Sequence, residues 1–173
     1  GNYTSLSTKV SPTYGYAITI TNGKTIYPAD QCGIWVDWNY DGDFTDAGET
    51  ITVSGTPGVG PYTATITVPA NAHKGNARMR IRIMYTGTLS SCGTTTYGEV
   101  EDYNLYVGTP GLWNGGTAGS PTDWNTANNW DDGRVPTAST NVVIPEGVTF
   151  YPVAAGNYAC NDMTIQDNST MTI

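Results

Sequence analysis

The chain has 173 residues, with seven basic and fifteen acidic side chains and a formal net charge of −8. This acidic balance argues against binding to nucleic acid and against attraction to anionic membrane surfaces. No apolar run reaches the roughly 18 residues that a membrane-spanning helix needs, so we expect no direct membrane insertion.

Glycine-punctuated segments with apolar residues at alternate positions predict an all-β protein without substantial helix. Residues 13–21 alternate clearly, and Asn22-Gly23 is a strong hairpin signal that leads into a strand at 25–27. Further strands are predicted at 32–38, 50–54, 62–68, 77–85 and 97–107. Roughly seven or eight strands in this length indicate a β-sandwich of jelly-roll or Greek-key topology.

The sequence changes character after a linker at 108–111, which predicts a sandwich domain at 1–108 and a second β module at 109–173. Trp113, Trp124 and Trp130 dominate the second module. Because so short a module has little else to build a core, we expect these rings to be buried, the alternative being stacking on sugar rings of a polysaccharide. The similar runs at 161–165 and 169–173 predict rungs of a β-helix-like region that continues in a longer natural protein.

The most distinctive stretch is the acidic loop, residues 37–49. Oxygen-bearing side chains occur at every second position from 37 to 43, with a glycine at 42, as in Asp-x-Asn-x-Asp-Gly calcium loops. The pattern departs at its end, because Gly48 stands where a closing acid is expected and Glu49 follows one residue later. The predicted Ca²⁺ ligands are Asp37, Asn39, Asp41, Asp43, Asp46 and Glu49. The alternative is a solvated turn that binds no ion.

A second acidic cluster contains Glu99, Glu101 and Asp102. Alternation places both glutamates on the same side of their strand as the core residues that follow, and carboxylates facing a core need partners. The candidate partners are the arginine row at 78, 80 and 82, whose side chains share one face of the preceding strand, or the cation of the acidic loop.

Three cysteines allow one disulfide, and we predict it between Cys32 and Cys92, each of which directly precedes a strand carrying a motif. It would close a loop of about 60 residues and stabilise the fold by roughly 2–4 kcal/mol. Cys160 then acts as a small buried apolar residue. A disulfide, few lysines and a calcium loop together favour a secreted, extracellular protein at the cell surface.

The run Tyr-Gly-Glu-Val-Glu-Asp-Tyr at 97–103 resembles the signature of the GEVED domain, a β-sandwich module of secreted bacterial proteins. Residues 35–49, 68–70, 78–85 and 92–93 resemble the same family in order and spacing. The second module looks like units of large surface proteins of the Bacteroidota. The resemblance implies an accessory module without catalytic activity, beside peptidase, adhesin or repeat regions. It also implies an additional first strand, which a neighbouring chain could supply.

Catalysis has little support, because His73 is the only histidine and no nucleophile turn accompanies it. Paired carboxylates suited to glycoside hydrolysis are better explained by calcium. We therefore expect a non-catalytic structural or adhesive module of a calcium-stabilised cell-surface or filament protein. Open β edges suggest that copies of the chain pair by strand addition. The alternative is a carbohydrate-binding accessory module of a larger secreted enzyme.

Overall fold

The computed structural model describes residues 1–23 and 26–173, and they confirm an all-β protein. The strands are β1 (Asn2–Val10), β2 (Gly15–Ile20), β3 (Gln31–Val36), β4 (Thr50–Ile51), β5 (Val53–Ser54), β6 (Tyr62–Thr67), β7 (Gly75–Met84), β8 (Gly98–Val107), β9 (Asn141–Ile144) and β10 (Asp162–Ile165). In this part of the chain the helical content is one 3-10 turn, Ala127–Asn129. None of the helices described is long and apolar enough to cross a membrane. The predicted strand at 25–27 begins outside the described residues, and Ile26 and Tyr27 are not in a strand.

The chain folds as two compact units. The first comprises Gly1–Thr8 and Thr13–Tyr106, and the second comprises Lys9–Pro12 and Val107–Ile173. The division into domains at 1–108 and 109–173 stays a prediction.

The larger sheet of the first unit has five strands in the order β1-β8-β7-β3-β4. β3 pairs antiparallel with both of its neighbours, and its residues Ile34 and Val36 are completely buried, as a strand that is apolar on both faces predicts. β8 returns beside β7, with the Tyr85 amide donating to the Tyr97 carbonyl at the start of the hairpin. The sheet is mixed.

Strand β1 is not indicated by the sequence patterns. It forms one edge of the five-stranded sheet, and most of its side chains are exposed. The Gly1 carbonyl accepts a hydrogen bond from the Asp102 amide, and the Thr4 carbonyl accepts one from the Asn104 side chain (2.6 Å). Because β1 depends on main-chain pairing and buries few apolar residues, it lacks the alternation by which the other strands are recognised.

The smaller sheet of the first unit has the order β2-β6-β5, with both pairs antiparallel. Tyr16, Ile18 and Ile20 lie opposite Ile66, Ala64 and Tyr62, so the predicted alternation of β2 matches the buried face of β6. Tyr62 and Ile66 are buried, and the facing β2 residues are half-buried. Jelly-roll or Greek-key topology stays a prediction.

The second unit is built on a tryptophan core. Its buried residues are Trp113, Trp124, Trp130, Val142 and Ile144. Cys160 packs half-buried against this core. β9 and β10 pair in parallel, and an isolated parallel bridge joins Val153 to Thr172. The two predicted rungs therefore pair with earlier segments and not with each other, and a β-helix-like repeat stays a prediction.

A buried polar network ties Lys9–Pro12 into the second unit. The Ser11 hydroxyl donates to Asp132 Oδ2 (2.8 Å), and both residues are almost completely buried. Lys9 Nζ donates to the carbonyls of Trp130 (2.8 Å) and Asn128 (3.1 Å). Since burying polar groups is costly unless they are hydrogen-bonded, these contacts explain why the segment packs there.

The predicted disulfide between Cys32 and Cys92 is wrong, because both are free thiols, as is Cys160. Cys32 lies opposite Ile83 in the β3–β7 pair, so these two side chains share a face. Arg82 precedes Ile83 and points to the other face, where it donates to the Cys92 carbonyl (2.7 Å). The five-stranded sheet thus separates the two thiols.

Candidate functional site

The acidic loop connects β3 to β4 and is clamped at both ends by main-chain hydrogen bonds. The Asp37 amide donates to the Arg78 carbonyl of β7 (3.0 Å), and the Val36 amide donates to the Glu49 carbonyl (2.9 Å). Gly42 turns the chain with a φ of 94°, in the left-handed region that glycine adopts without strain. The loop therefore begins at the inner strand β3, ends at the edge strand β4, and is tied to both β7 and β3.

Two of the six predicted ligands are buried and already engaged. Asp37 accepts hydrogen bonds from the amides of Tyr40 (2.7 Å) and Gly42 (3.1 Å). Glu49, only 1% exposed, accepts from the amides of Trp38 (3.0 Å) and Asp46 (3.2 Å). Burial raises the pKa of Glu49, although those two amides partly oppose the shift. These carboxylates act as internal braces that close the loop.

Three other predicted ligands converge at the surface. Carboxylate oxygens of Asp41, Asp43 and Asp46 all lie within 4.8 Å of one another, and all three side chains are exposed. Asn39 lies among them, because its amide nitrogen donates to Asp41 (2.8 Å) and Asp46 (2.7 Å). Hydrogen bonds from the Asp43 amide and then from Asn39 lower the pKa of Asp41, which favours its ionised form.

This donor set fits a hard divalent cation. Oxygens bound to one Ca²⁺ at about 2.3–2.6 Å cannot be more than about 5 Å apart, and the three carboxylates meet that condition. Their exposure leaves room for the water ligands that such sites commonly include. The six predicted ligands thus have three different roles. Two buried carboxylates bind backbone amides inside the loop, Asn39 links two of the exposed carboxylates, and three exposed carboxylates converge at the surface.

His73 lies beside the same loop. Its ring stacks on the exposed ring of Tyr40, with centroids 5.5 Å apart and planes 17° apart, and its amide donates to the Trp38 carbonyl (2.7 Å). These contacts give His73 a packing role at the outer side of the loop.

The second acidic cluster divides between the two faces of β8. Asp102 forms a bidentate ion pair with Arg80, with Nε–Oδ1 and Nη2–Oδ2 distances of 2.7 Å. The Arg80 guanidinium also lies over the Phe44 ring of the acidic loop, 5.2 Å from its centroid. Within the arginine row, Arg80 is therefore the partner of Asp102. Glu99 and Glu101, with the opposite parity, point to the other face.

The buried Arg82 fixes the loop between β7 and β8. Its guanidinium donates to the carbonyls of Ser90 (2.8 Å), Cys92 (2.7 Å) and Gly93 (3.0 Å). Gly98, where β8 begins, has a φ of 149°, and a Cβ there would overlap the Ile83 carbonyl. Only glycine allows β8 to approach β7 this closely.

Residues 31–106 match the family model of the GEVED domain. The first unit thus contains a GEVED domain. The matched region includes the acidic loop, the arginine row and the signature at 98–102, in which glycine permits close strand approach and the final aspartate pairs with Arg80. No curated protein and no solved structure matches the chain.

A pocket between the two sheets of the first unit is a feature that the sequence patterns do not predict. It has a volume of about 690 Å³. Its lining is Ile20, Thr21, Asn22, Gly23, Tyr27, Asp30, Ile81, Ile83, Tyr85, Tyr97, Gly98, Glu99 and Glu101. The parity of the two glutamates was the available signal, since it placed carboxylates where core residues were expected. We refer to this cavity as the inter-sheet pocket.

The tryptophans considered for sugar stacking are not available for it. Trp113, Trp124 and Trp130 are 0%, 1% and 0% exposed. Trp113 Nε1 donates to the Phe150 carbonyl (2.8 Å), and Trp130 Nε1 donates to the Trp124 carbonyl (2.8 Å). The version of carbohydrate binding that relies on these rings is therefore wrong, and they form the core of the second unit.

Proposed function

We propose that the chain is a non-catalytic structural module of a secreted cell-surface or filament protein, and that Ca²⁺ stabilises its GEVED domain at the acidic loop. The observation that carries this proposal is the convergence of Asp41, Asp43 and Asp46 on a loop whose ends are tied into β3 and β7. A cation bound to such a loop would hold the neighbouring strands in place.

Ca²⁺ would act by neutralising the repulsion among the three converging carboxylates. Asp41, Asp43 and Asp46 would hold the ion, while Asp37 and Glu49 keep the backbone in place from inside the loop. An ion that binds only the folded state at 100 times its dissociation constant stabilises that state by about 2.7 kcal/mol. Through Phe44 and Arg80 the ordered loop would also support the ion pair with Asp102.

The test is thermal unfolding of the whole chain in excess Ca²⁺ and in EDTA, combined with calorimetric titration of Ca²⁺. We expect chelation to lower the Tm of the wild type and to have little effect on an Asp41→Asn/Asp43→Asn double variant. Asp167→Asn, which removes an exposed acid of the second unit, is the matched control and keeps the wild-type response. Identical melting curves for the wild type in both buffers would refute calcium stabilisation.

Strand addition between copies is the form of association that the edge strand β1 supports. β1 offers nine residues along the edge of the five-stranded sheet, and its Leu6 side chain is 58% exposed. Edge strands are templates for pairing, and lysine on such an edge opposes it. We expect sedimentation velocity to show concentration-dependent association that Leu6→Lys weakens. Val59→Lys, in an exposed turn, is the control. A wild type that remains monomeric at high concentration would exclude this form of association.

A further inference from the structure

The inter-sheet pocket has the composition of a binding site for a positively charged group. It lies between β2 of the smaller sheet and β7 and β8 of the larger one, within the first unit. Its volume of about 690 Å³ falls within the range of about 300–1,000 Å³ that is common for ligand sites.

The floor and one wall of the pocket are apolar and aromatic. Ile20, Ile81 and Ile83 contribute aliphatic surface. Tyr27 and Tyr85 form an edge-to-face pair with centroids 5.0 Å apart, so each ring restrains the other before any ligand arrives. Both rings are partly exposed, which leaves aromatic surface open to a ligand.

The charged lining is acidic. Three carboxylates, those of Asp30, Glu99 and Glu101, line the pocket, and none of the described lining residues is basic. Asp30 is engaged in the structure, since it accepts from the Tyr27 amide (2.9 Å) and from Asn22 Nδ2 (3.1 Å). The two glutamates of the signature therefore supply the charge available to a ligand.

Glu101 is held in place by a neighbouring tyrosine. Its Oε2 accepts a hydrogen bond from the Tyr103 hydroxyl (2.8 Å). Burial, this hydrogen bond and the neighbouring acids raise the pKa of Tyr103 to about 12. Arg80 and Arg82 do not neutralise the pocket, because they lie on the other face of the sheet and bind Asp102 and the loop carbonyls.

We propose that the inter-sheet pocket binds an arginine side chain presented by a partner protein. The aliphatic floor suits the stem of the side chain, the tyrosines suit stacking of its planar guanidinium, and the glutamates pair with its charge. A neutral sugar would use the tyrosines but would leave two carboxylates uncompensated. The site is distinct from the acidic loop, so its occupation does not depend on Ca²⁺.

The experiment is a titration of the ¹⁵N-labelled whole chain with three peptides, Gly-Ser-Arg-Ser-Gly, Gly-Ser-Lys-Ser-Gly and Gly-Ser-Gln-Ser-Gly. We expect the amide signals of Gly23, Gly98 and Glu99 to shift with the arginine peptide, less with the lysine peptide and not with the glutamine peptide. Binding should weaken at 0.5 M salt, because the charges are only partly buried.

Variants locate the binding. The double variant Glu99→Gln/Glu101→Gln should bind the arginine peptide with an affinity at least about tenfold lower, because charge-assisted hydrogen bonds are lost. Glu146→Gln, an exposed acid of the second unit, should leave the affinity unchanged. A Tm of the double variant equal to that of the wild type shows that the variant is folded.

The proposal is overturned if the arginine peptide shifts no pocket signals, or if the glutamine peptide binds equally well. It is also overturned if a neutral oligosaccharide such as maltotriose shifts the pocket signals while the arginine peptide does not. Repeating the titration in EDTA separates this site from the proposed calcium site, because pocket binding should be the same in both buffers.

Discussion

Replacing Trp130 with phenylalanine tests whether the tryptophan core stabilises the second unit. Trp130 is completely buried, and its ring meets Trp113 and Trp124 edge to face, with centroids 5.0 and 4.8 Å away. Its Nε1 donates to the Trp124 carbonyl at 2.8 Å. Phenylalanine keeps a six-membered ring but removes the donor and the rest of the indole.

The expected loss of stability, measured as the free energy of unfolding, has two parts. Leaving a buried carbonyl without this hydrogen-bond donor costs about 1–3 kcal/mol. A residual cavity of a few tens of Å³ adds about 1 kcal/mol, at roughly 24 cal/mol per Å³. We therefore expect Trp130→Phe to lower the free energy of unfolding of the second unit by about 2–4 kcal/mol, a large share of the 5–15 kcal/mol typical of a domain.

The assay is urea unfolding monitored by near-ultraviolet circular dichroism, analysed for separate transitions of the two units. With a slope of about 2 kcal/mol per molar urea, the midpoint of the second unit should fall by about 1–2 M. Phe150→Leu, at a ring that is 42% exposed in the same unit, is the control and should change stability by less than about 0.5 kcal/mol. A loss below about 0.5 kcal/mol for Trp130→Phe would show that the cluster does not stabilise the unit as argued.

Three further predictions concern the ion pair, the buried network and the thiols. Asp102→Asn should destabilise the GEVED domain by about 1–3 kcal/mol, because it leaves the partly buried Arg80 without its carboxylate. Thermal melting checks this result, and a loss no greater than that of Glu146→Asn would contradict it. Burial raises the pKa of Asp132, so its folded pKa exceeds the unfolded value. The contribution of Asp132 to stability is therefore fully present below its pKa in the unfolded chain. It declines as the pH rises through its pKa in the folded protein. In urea titrations the wild type should gain stability relative to Asp132→Asn as pH falls from 7 towards about 4. A constant difference would refute this linkage. Finally, Cys92 is exposed, whereas Cys32 is buried and its pKa is raised to about 11 by that burial. Ellman's reagent should label Cys92 first, and all three thiols after unfolding without reductant. If only one thiol were labelled after unfolding, the other two would instead be joined in a disulfide.

Alternation along the strands was the most informative signal in the sequence. It identified the buried faces of β2 and β7 and placed Glu99 and Glu101 on the core side of β8. It worked because burial on one face of a sheet imposes a period of two on the sequence. β1 escaped detection because its pairing is carried by main-chain groups, which no side-chain pattern reports.

Features that depend on register or on distant segments could not be predicted. The position of each cysteine before a strand suggests a disulfide, yet the pairing of Cys32 with Ile83 puts Cys32 on the face away from Cys92. The loop carboxylates were identified as a group. However, the sequence did not show that Asp37 and Glu49 would turn inward to backbone amides. The inter-sheet pocket combines the end of β2 with β7 and β8, and only the tertiary fold brings these segments together.

The division of the GEVED signature between two faces of one strand has an evolutionary consequence. Gly98 and Asp102 are constrained by the fold itself, through strand approach and the ion pair with Arg80. Glu99 and Glu101 face the pocket, and in the proposed recognition role they would be constrained by the ligand that enters it. Within five consecutive residues, selection for folding and selection for recognition can therefore proceed almost independently. We expect relatives that retain the first pair but exchange the second to keep the architecture while changing their partner.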